Sequence, residues 1–383
     1  MLFVLTGGGT AGHINPALAL AEVLEEQGHR VLFAGTPQGI EGALVGVAGI
    51  EFRAFEASGF NRRHPLSIVK ALQKTLQSTR AAKLWLAEVK PDAVVCFGAY
   101  VSIALGRAAY QLKLPLVIHE QNSVMGLANR YLAKKATRIA LTYDCSGKGV
   151  SDKSKLVTSG NPVRKAVLAA TRSQGRSLLG ISEQSLVLLV FGGSLGARHI
   201  NSAVIAMKDQ LLAHEGLVIV HVAGPKQYEE VLETLALTEQ EAKRWLVFGY
   251  QDRMGEVMAA SDAVLARAGA TSLAEISARH LPALLVPFPF ATEDHQTTNA
   301  HAFVERGAAL MVADEALDTP DFSAALLRLV GDGGLRAAMS EAQAGFRTAD
   351  AAAILADVVM AATHCTHNGY NTSYQNEAAD LET

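Results

Sequence analysis

The sequence predicts an α/β protein built of two Rossmann-like domains that face each other across a cleft. Two observations carry that prediction. Short apolar runs suited to buried parallel strands alternate with amphipathic stretches of helical period along the chain. A glycine-rich loop follows an apolar strand twice, at Gly7-Gly-Gly-Thr-Ala-Gly12-His13 and again at Gly192-Gly-Ser-Leu-Gly196-Ala197, so the βα pattern starts over near the middle of the chain. At 383 residues the chain is long enough for two domains with substantial cores.

Bulk properties narrow the function classes. The composition, 49% hydrophobic and 19% charged, is that of a globular protein and not of a disordered one. A net charge of -3 argues against nucleic acid as the main partner. Cys96, Cys145 and Cys365 have no close pairing, which gives neither a disulfide framework nor a metal site and fits a reducing cytosol. The first strand runs straight into a glycine loop without a charged n-region, so no signal peptide is expected. No apolar run is long enough to span a bilayer, and any membrane contact is expected to be peripheral.

Taken in order, Leu2–Thr6 is a strand and the glycine loop follows. Asn15 is expected to cap the next helix with Pro16 at its first position and Gly28 at its end. Ala17, Leu20, Ala21 and Leu24 form its buried stripe, and Arg30–Ala34 is the second strand. Gly7, Gly9 and Gly12 satisfy the spacing of a dinucleotide fingerprint. The second strand, however, ends in Gly35-Thr36-Pro37, where a nicotinamide binder carries an acidic residue for the ribose. His13, between a flexible loop and a helix start, is either structural or catalytic.

Residues 61–90 change in character. Arg62-Arg63-His64-Pro65 opens a helix with an apolar face of Leu66, Ile68, Val69, Leu72 and Leu76. Lys70 and Lys74 lie along one margin, with Arg80 and Lys83 further on. Such a helix packs on its own domain or lies on an anionic membrane face. Ala93–Phe97 is a buried strand, and Gly98-Ala-Tyr-Val-Ser102 turns into a helix. Pro115–Ile118 is a strand ending in His119-Glu-Gln-Asn122, four polar groups at the carboxyl end of a strand. Glu120 is there either as an anchor or as a catalytic carboxylate. Arg130, Lys134, Lys135 and Arg138 make a second basic cluster, and Gly160-Asn-Pro162 reads as a domain junction.

In the second half, Ser185–Phe191, Leu217–Val222 and Leu246–Gly249 are strands leading to the richest stretch, Ser261–Ala300. Ala263–Ala266 is a buried strand, Arg267-Ala-Gly269-Ala270 a turn, and Thr271 or Ser272 the cap of a helix over Leu273–Arg279. The helix start offers free N–H groups and a positive dipole end to a diphosphate. Glu275, one turn in, can accept both hydroxyls of a ribose. Pro282–Pro287 is a strand, and the loop Thr292–Asn299 after it brings Gln296 and Asn299 to where they can read sugar hydroxyls. Phe322 to about Thr363 is alanine-rich and helical. The expected divisions are 1–162, 163–345, a helix over 346–363 that returns to the first domain, and a polar, disordered tail over 364–383.

Five motifs stand in order: Gly8-Gly-Thr-Ala-Gly-His13, His119-Glu-Gln-Asn122, Gly192-Gly-Ser-Leu-Gly-Ala197, Arg267-Ala-Gly-Ala270 with Glu275, and His295-Gln-Thr-Thr-Asn-Ala300. Together, over roughly residues 1–363, they resemble the MurG family. These bacterial peptidoglycan glycosyltransferases add N-acetylglucosamine (GlcNAc) to undecaprenyl-pyrophosphoryl-N-acetylmuramyl (MurNAc)-pentapeptide. The resemblance implies the two-domain GT-B architecture, with the acceptor on the N-terminal half and UDP-GlcNAc mostly on the C-terminal half.

Donor contacts are implied for Thr10, Ala11, Gly12, Asn122, Arg164 and Ser194, for Ala270, Thr271, Ser272, Leu273, Ala274 and Glu275, and for Gln296. Glu275 is implied on the ribose, Gln296 with Asn299 on the sugar, and Gln251 beside the uracil through its backbone. Ala11 stands where the family usually has glycine, which adds a methyl where the loop is expected to need an unusual φ.

The implied reaction is an inverting transfer to the MurNAc C4 hydroxyl, with His13 the first choice of base and Glu120 the second. Helix N-termini, loop N–H groups and Arg164 would stabilise the leaving diphosphate. The sequence has no D-x-D-type carboxylate pair in a donor loop, so no metal and no cofactor are expected. Other readings are another GT-B transferase or a UDP-GlcNAc epimerase, disfavoured by the acceptor loops near Tyr100 and His119. A non-catalytic sugar-nucleotide-binding subunit is disfavoured by the intact His13 loop, and a nicotinamide enzyme is the weakest. The implied setting is the cytoplasmic face of an anionic membrane.

Overall fold

The computed structural model describes residues 1–56, 65–193, 196–346 and 348–364, excepting the side chains of 65–72 and 292. Ser194, the face Leu66 to Leu72 with Lys70, residues 62–64 and the tail from Cys365 lie outside that description.

Thirteen strands form two sheets. In the first half they are β1 (Leu2–Thr6), β2 (Arg30–Gly35), β3 (Glu51–Ala54), β4 (Ala93–Cys96), β5 (Leu116–Glu120), β6 (Arg138–Leu141) and β7 (Leu156–Thr158). The second half holds β8 (Leu186–Phe191), β9 (Leu217–Val222), β10 (Trp245–Phe248), β11 (Ala263–Ala266), β12 (Ala283–Leu285) and β13 (Ala309–Met311). The sheet orders are β3-β2-β1-β4-β5-β6-β7 and β10-β9-β8-β11-β12-β13. Every pairing is parallel, from Leu2 opposite Arg30 to Leu285 opposite Met311.

Parallel sheets are covered on both faces, which is why the central strands are unbroken apolar runs. Phe3, Leu5 and Val95 face one core, and Val4, Val94 and Ile118 the opposite one. Leu188 and Ile219, against Leu189 and Val220, do the same in the second sheet.

Each sheet reverses its strand order once, between β1 and β4 and between β8 and β11. Loops at such a switch point diverge to opposite faces and leave a crevice at the carboxyl ends of the strands. The helix start after β1 carries His13, the turn after β4 carries Gly98, and the turn after β11 carries Arg267–Gly269. All three ends therefore open toward the same space.

Two helices span the halves. Ala351–His364 follows the second sheet but buries Leu355, Ala356, Val359 and Ala362 in the core that holds Phe3, Leu5 and Phe33. Ala11–Glu26 belongs to the first half yet meets the second at Glu22, whose carboxylate accepts from Arg164 Nε at 2.5 Å and Lys165 N at 2.9 Å. Glu26 pairs with Lys165 beside it.

That second helix begins at Ala11, with Thr10 as N-cap, and not at Asn15. Pro16 is therefore inside it. Proline has no N–H for the carbonyl four residues back, and its ring pushes that carbonyl aside. The carbonyl belongs to Gly12, and it accepts instead from Thr271 Oγ1 of the second half at 3.0 Å. A helix-breaking residue thus turns a backbone acceptor into a link between the halves.

Candidate active site

The N-terminal wall is built from the β1 loop. Only Gly9 within the described Gly7–Gly12 stretch has a positive φ, +81°. Ala11 is helical, so its methyl causes no strain and the expected need for glycine there is not met. Gly8 is constrained for a different reason, because a Cβ there would lie 2.7 Å from Glu41 Oε1. Glu41 is fully buried, accepts from Thr36 N at 2.8 Å, and packs beneath the loop.

His13 Nδ1 lies 3.1 Å from the Gly8 carbonyl. A carbonyl only accepts, so Nδ1 carries the proton and Nε2 keeps the lone pair of the neutral ring. Burial pushes the His13 pKa below its usual 6.5, and the Glu120 carboxylate is the chief opposing influence. The ring edge rests on Gly98, where a Cβ would come 3.0 Å from Cδ2 and 3.1 Å from Nε2. Gly98 has φ +108° and the next residue, Ala99, φ +66°. Left-handed backbone at a non-glycine residue is costly and concentrates at functional sites. Nothing in the sequence beyond the glycine itself signals this support.

Glu120, 1% exposed, accepts four hydrogen bonds: from Asn122 N and Nδ2 at 3.0 and 3.3 Å, Gly126 N at 3.0 Å and Asn129 Nδ2 at 2.9 Å. A carboxylate so engaged is an anchor for residues 121–129. His119 is also structural. Burial holds its pKa down at about 4, Nε2 donates to the Gly160 carbonyl at 3.0 Å, and Nδ1 accepts from Gln121 Nε2 at 3.1 Å.

The C-terminal wall rises from β11. The helix spans Ala270–Ala278 with Gly269 as N-cap, so neither Thr271 nor Ser272 caps it. Ala270, Thr271, Ser272 and Glu275 line the cleft, whereas the side chains of Leu273 and Ala274 turn into the hydrophobic interior. Burial raises the Glu275 carboxyl to about 7, and Arg164 acts in the opposite direction. Arg164 itself does not line the cleft, because Glu22 holds its guanidinium. Arg267 is buried and pairs with Asp314 at 2.5 Å, and it donates to Val286 and Pro287 carbonyls at 3.3 and 3.0 Å. It braces the ends of the strands from behind and makes no pair with Glu275.

The expected polar loop over 292–299 is instead a single turn, Thr292–Asp294, followed by the helix His295–Val304. Gln296 lines the cleft and accepts from Phe288 N at 3.0 Å. Asn299 does not line it. Fully buried, it accepts from Ser123 N at 2.9 Å and donates to Asn122 Oδ1 at 3.4 Å and the Ala268 carbonyl at 3.3 Å. Its amide joins the two halves beneath the cleft, with both N–H donors and one lone pair of Oδ1 engaged there. Gln251 lines the cleft with Gly249 and Tyr250, and its Oε1 accepts from Arg253 N at 3.1 Å.

Thr10, Ala11, Gly12, His13, Glu120, Asn122, Gln251, Glu275 and Gln296 thus share one cavity of about 660 Å³. That volume suits a ligand of nucleotide-sugar size. A neutral imidazole on the N-terminal wall and a raised carboxyl on the C-terminal wall both line this cavity.

Comparison with known proteins assigns the class first. Residues 3–141 match the glycosyltransferase family 28 N-terminal domain and residues 187–355 its C-terminal domain. Full-length relatives narrow it. The UDP-N-acetylglucosamine–N-acetylmuramyl-(pentapeptide) pyrophosphoryl-undecaprenol N-acetylglucosamine transferase of Halothermothrix orenii is 39% identical over 338 residues, covering 87% of this chain and 91% of the relative. The enzyme of that name from Bacillus subtilis is 35% identical over 361 residues, covering 94% and 99%. The crystal structure of Acinetobacter baumannii MurG superposes with a TM-score of 0.70 at 27% identity, covering 94% of this chain and 99% of that one. UDP-GlcNAc 2-epimerase from Neisseria meningitidis, at TM-score 0.67 and 15% identity over 94% and 100%, shares the fold. The chain belongs to the family of UDP-N-acetylglucosamine–N-acetylmuramyl-(pentapeptide) pyrophosphoryl-undecaprenol N-acetylglucosamine transferases.

The raised Glu275 carboxyl makes the expected contact with a ribose testable. Ribose hydroxyls donate to a carboxylate, so binding favours the ionised form, and below the folded-state value of about 7 the proton must first leave. UDP-GlcNAc affinity is expected to rise with pH through 7, being about tenfold weaker at pH 6 than on the plateau above 8. Glu275→Gln should remove that dependence. Calorimetry across the range checks it, and a flat wild-type profile would take Glu275 off the ribose.

Proposed function

We propose that the chain transfers GlcNAc from UDP-GlcNAc to the C4 hydroxyl of MurNAc in undecaprenyl-pyrophosphoryl-MurNAc-pentapeptide, with inversion, in peptidoglycan synthesis. It is a glycosyltransferase enzyme. The observation that carries the mechanistic reading is His13 in the lining of the cleft, its Nδ1 engaged by the Gly8 carbonyl so that Nε2 keeps its lone pair.

UDP binds the second half. Glu275 accepts the ribose hydroxyls, the backbone at Gly249–Gln251 borders the uracil, and Gln296 meets the sugar. The free N–H groups at the start of the helix Ala270–Ala278 hold the diphosphate and offset its charge as it leaves. His13 Nε2 removes the proton from the attacking hydroxyl. Glu120, saturated with donors, keeps residues 121–129 in position and favours the imidazolium as it forms. We draw the domain boundary between 162 and 163. Residues 163–345 form the donor domain, and the helix within 346–363 seals the first domain.

The undecaprenyl chain stays in a bilayer, so the N-terminal half comes to it. Among the described residues no helix is long and apolar enough to cross a membrane, which accords with peripheral attachment. Support for a docking surface is the exposure of Leu76, Leu84, Leu127 and Tyr131, with Lys134 beside the last and Lys135 stacked on its ring at 4.0 Å. Arg130 and Arg138 do not join it. Arg130 pairs with Glu293, and Arg138 starts β6 and donates to the Thr137 carbonyl. The reading puts the protein at the cytoplasmic face of an anionic membrane, in a pathway that underlies cell shape and division.

Radiolabelled UDP-GlcNAc with the lipid-linked acceptor should yield a lipid-linked disaccharide. His13→Ala should reduce turnover about 10²–10⁴-fold with donor affinity retained. Near-normal turnover in that variant would remove His13 as the base. Leu76→Ser combined with Lys134→Glu and Lys135→Glu should lower co-sedimentation with anionic vesicles, most clearly at low salt, since the attraction acts within about a Debye length. Equal sedimentation of variant and wild type would rule the surface out.

A further inference from the structure

In the proposed reaction two diphosphates come together, one on the donor and one on the acceptor. Among the described residues lining the cleft none is Lys or Arg, while three are glutamates: Glu120, Glu275 and Glu293. Helix-start N–H groups on the second wall serve one diphosphate. A second dianion in the same space adds repulsion, from the first diphosphate and from the glutamates, and calls for a cation at the rim.

Arg130 is such a cation. It follows Leu127, Ala128 and Asn129, which line the cleft, on the helix Leu127–Ala133. Its Nη2 lies 2.8 Å from Glu293 Oε2 and 3.0 Å from the Met125 carbonyl. Glu293 comes from the opposite half and holds this pair with φ +54°, and Asp294 follows at φ +52°. Two successive left-handed residues without glycine are unfavourable, and they lie at the Glu293 end of the cross-cleft pair. The side chains are 54% and 38% exposed. An ion pair so open to water contributes little stability and exchanges readily. A guanidinium binds phosphate oxygens in the same forked geometry as a carboxylate.

Given the proposed reaction, on which this assignment rests, we infer that Arg130 receives the diphosphate of the lipid-linked acceptor, exchanging its ion pair with Glu293 for one with phosphate. Glu293 is then a competitor for Arg130, and it discriminates against acceptors too weakly charged to displace it. Arg130 is a binding and specificity residue and takes no part in proton transfer.

Steady-state kinetics with the lipid-diphosphate acceptor test this, using Arg130→Gln, Glu293→Gln and the exchanged pair Arg130→Glu/Glu293→Arg. Arg130→Gln is expected to raise the acceptor KM roughly 10- to 100-fold, the span of a lost charged hydrogen bond. Glu293→Gln should lower that KM. The exchanged pair restores the bridge but not the site, so its KM should stay as high as that of Arg130→Gln. A MurNAc-pentapeptide methyl glycoside, which lacks the diphosphate, should be used equally by wild type and Arg130→Gln. UDP-GlcNAc affinity by calorimetry should match wild type in all variants.

An unchanged KM in Arg130→Gln, recovery in the exchanged pair, or equal loss with both acceptors would each overturn the assignment. Failure of the wild type to form disaccharide would instead remove the reaction on which it rests.

Discussion

The buried carboxylate of Glu120 is the interaction on which the N-terminal wall of the cleft depends. A desolvated charge is tolerated only when its oxygens are satisfied, and here four N–H donors do so. Each donor fixes something else. Asn122 is turned so that its side-chain oxygen meets Asn299 of the other half, and the Gly126 amide marks where the helix Leu127–Ala133 begins. Asn129 carries the constraint one turn into that helix. The same charge opposes the burial that lowers the pKa of His13. Replacing the carboxylate would leave four donors and one imidazole to find other arrangements, so loop order and base strength are coupled through one group.

A second constraint comes from the helix Ala11–Glu26. Pro16 inside it leaves the Gly12 carbonyl without an intrahelical donor, and Thr271 supplies one from across the cleft. Asn299 with Ser123 and Glu22 with Arg164 add two more links. Gly12 and Thr271 line the cavity, as does Asn122, which bonds Asn299. The lining of the cavity and the links between the halves therefore share side chains.

Much of the fold was legible in the sequence because parallel strands buried on both faces are continuous apolar runs. Both glycine loops and the strands flanking them followed from that pattern. Short or half-exposed strands did not. Glu51–Ala54 is mostly exposed, and Arg138–Leu141 and Leu156–Thr158 are too short for any periodicity to register. The helix start was misjudged because Pro16 has the residue type of a first position, while the structure uses its missing N–H within the helix. At the site, residue types made His13, Glu275 and Gln296 candidates, and all three line the cleft, but residue type does not show which way each neighbour points. Asn299 differs from Gln296 by three positions on one helix, and the buried face took it. Leu273 and Ala274 turned inward for the same reason. Gly98, Glu41 and the Arg130–Glu293 pair carry no local signal, since each acquires its role only through a residue distant in sequence.

The most direct test of the account is the pH dependence of kcat/KM for the acceptor at saturating UDP-GlcNAc, which reports the base of the acceptor-free enzyme. A single acid limb is expected, with an apparent pKa below 6.5, the ordinary imidazole value, because burial outweighs Glu120 at His13. That limb should be missing from the residual activity of His13→Ala. A limb that persists unchanged in the variant would contradict the assignment of His13 as the base.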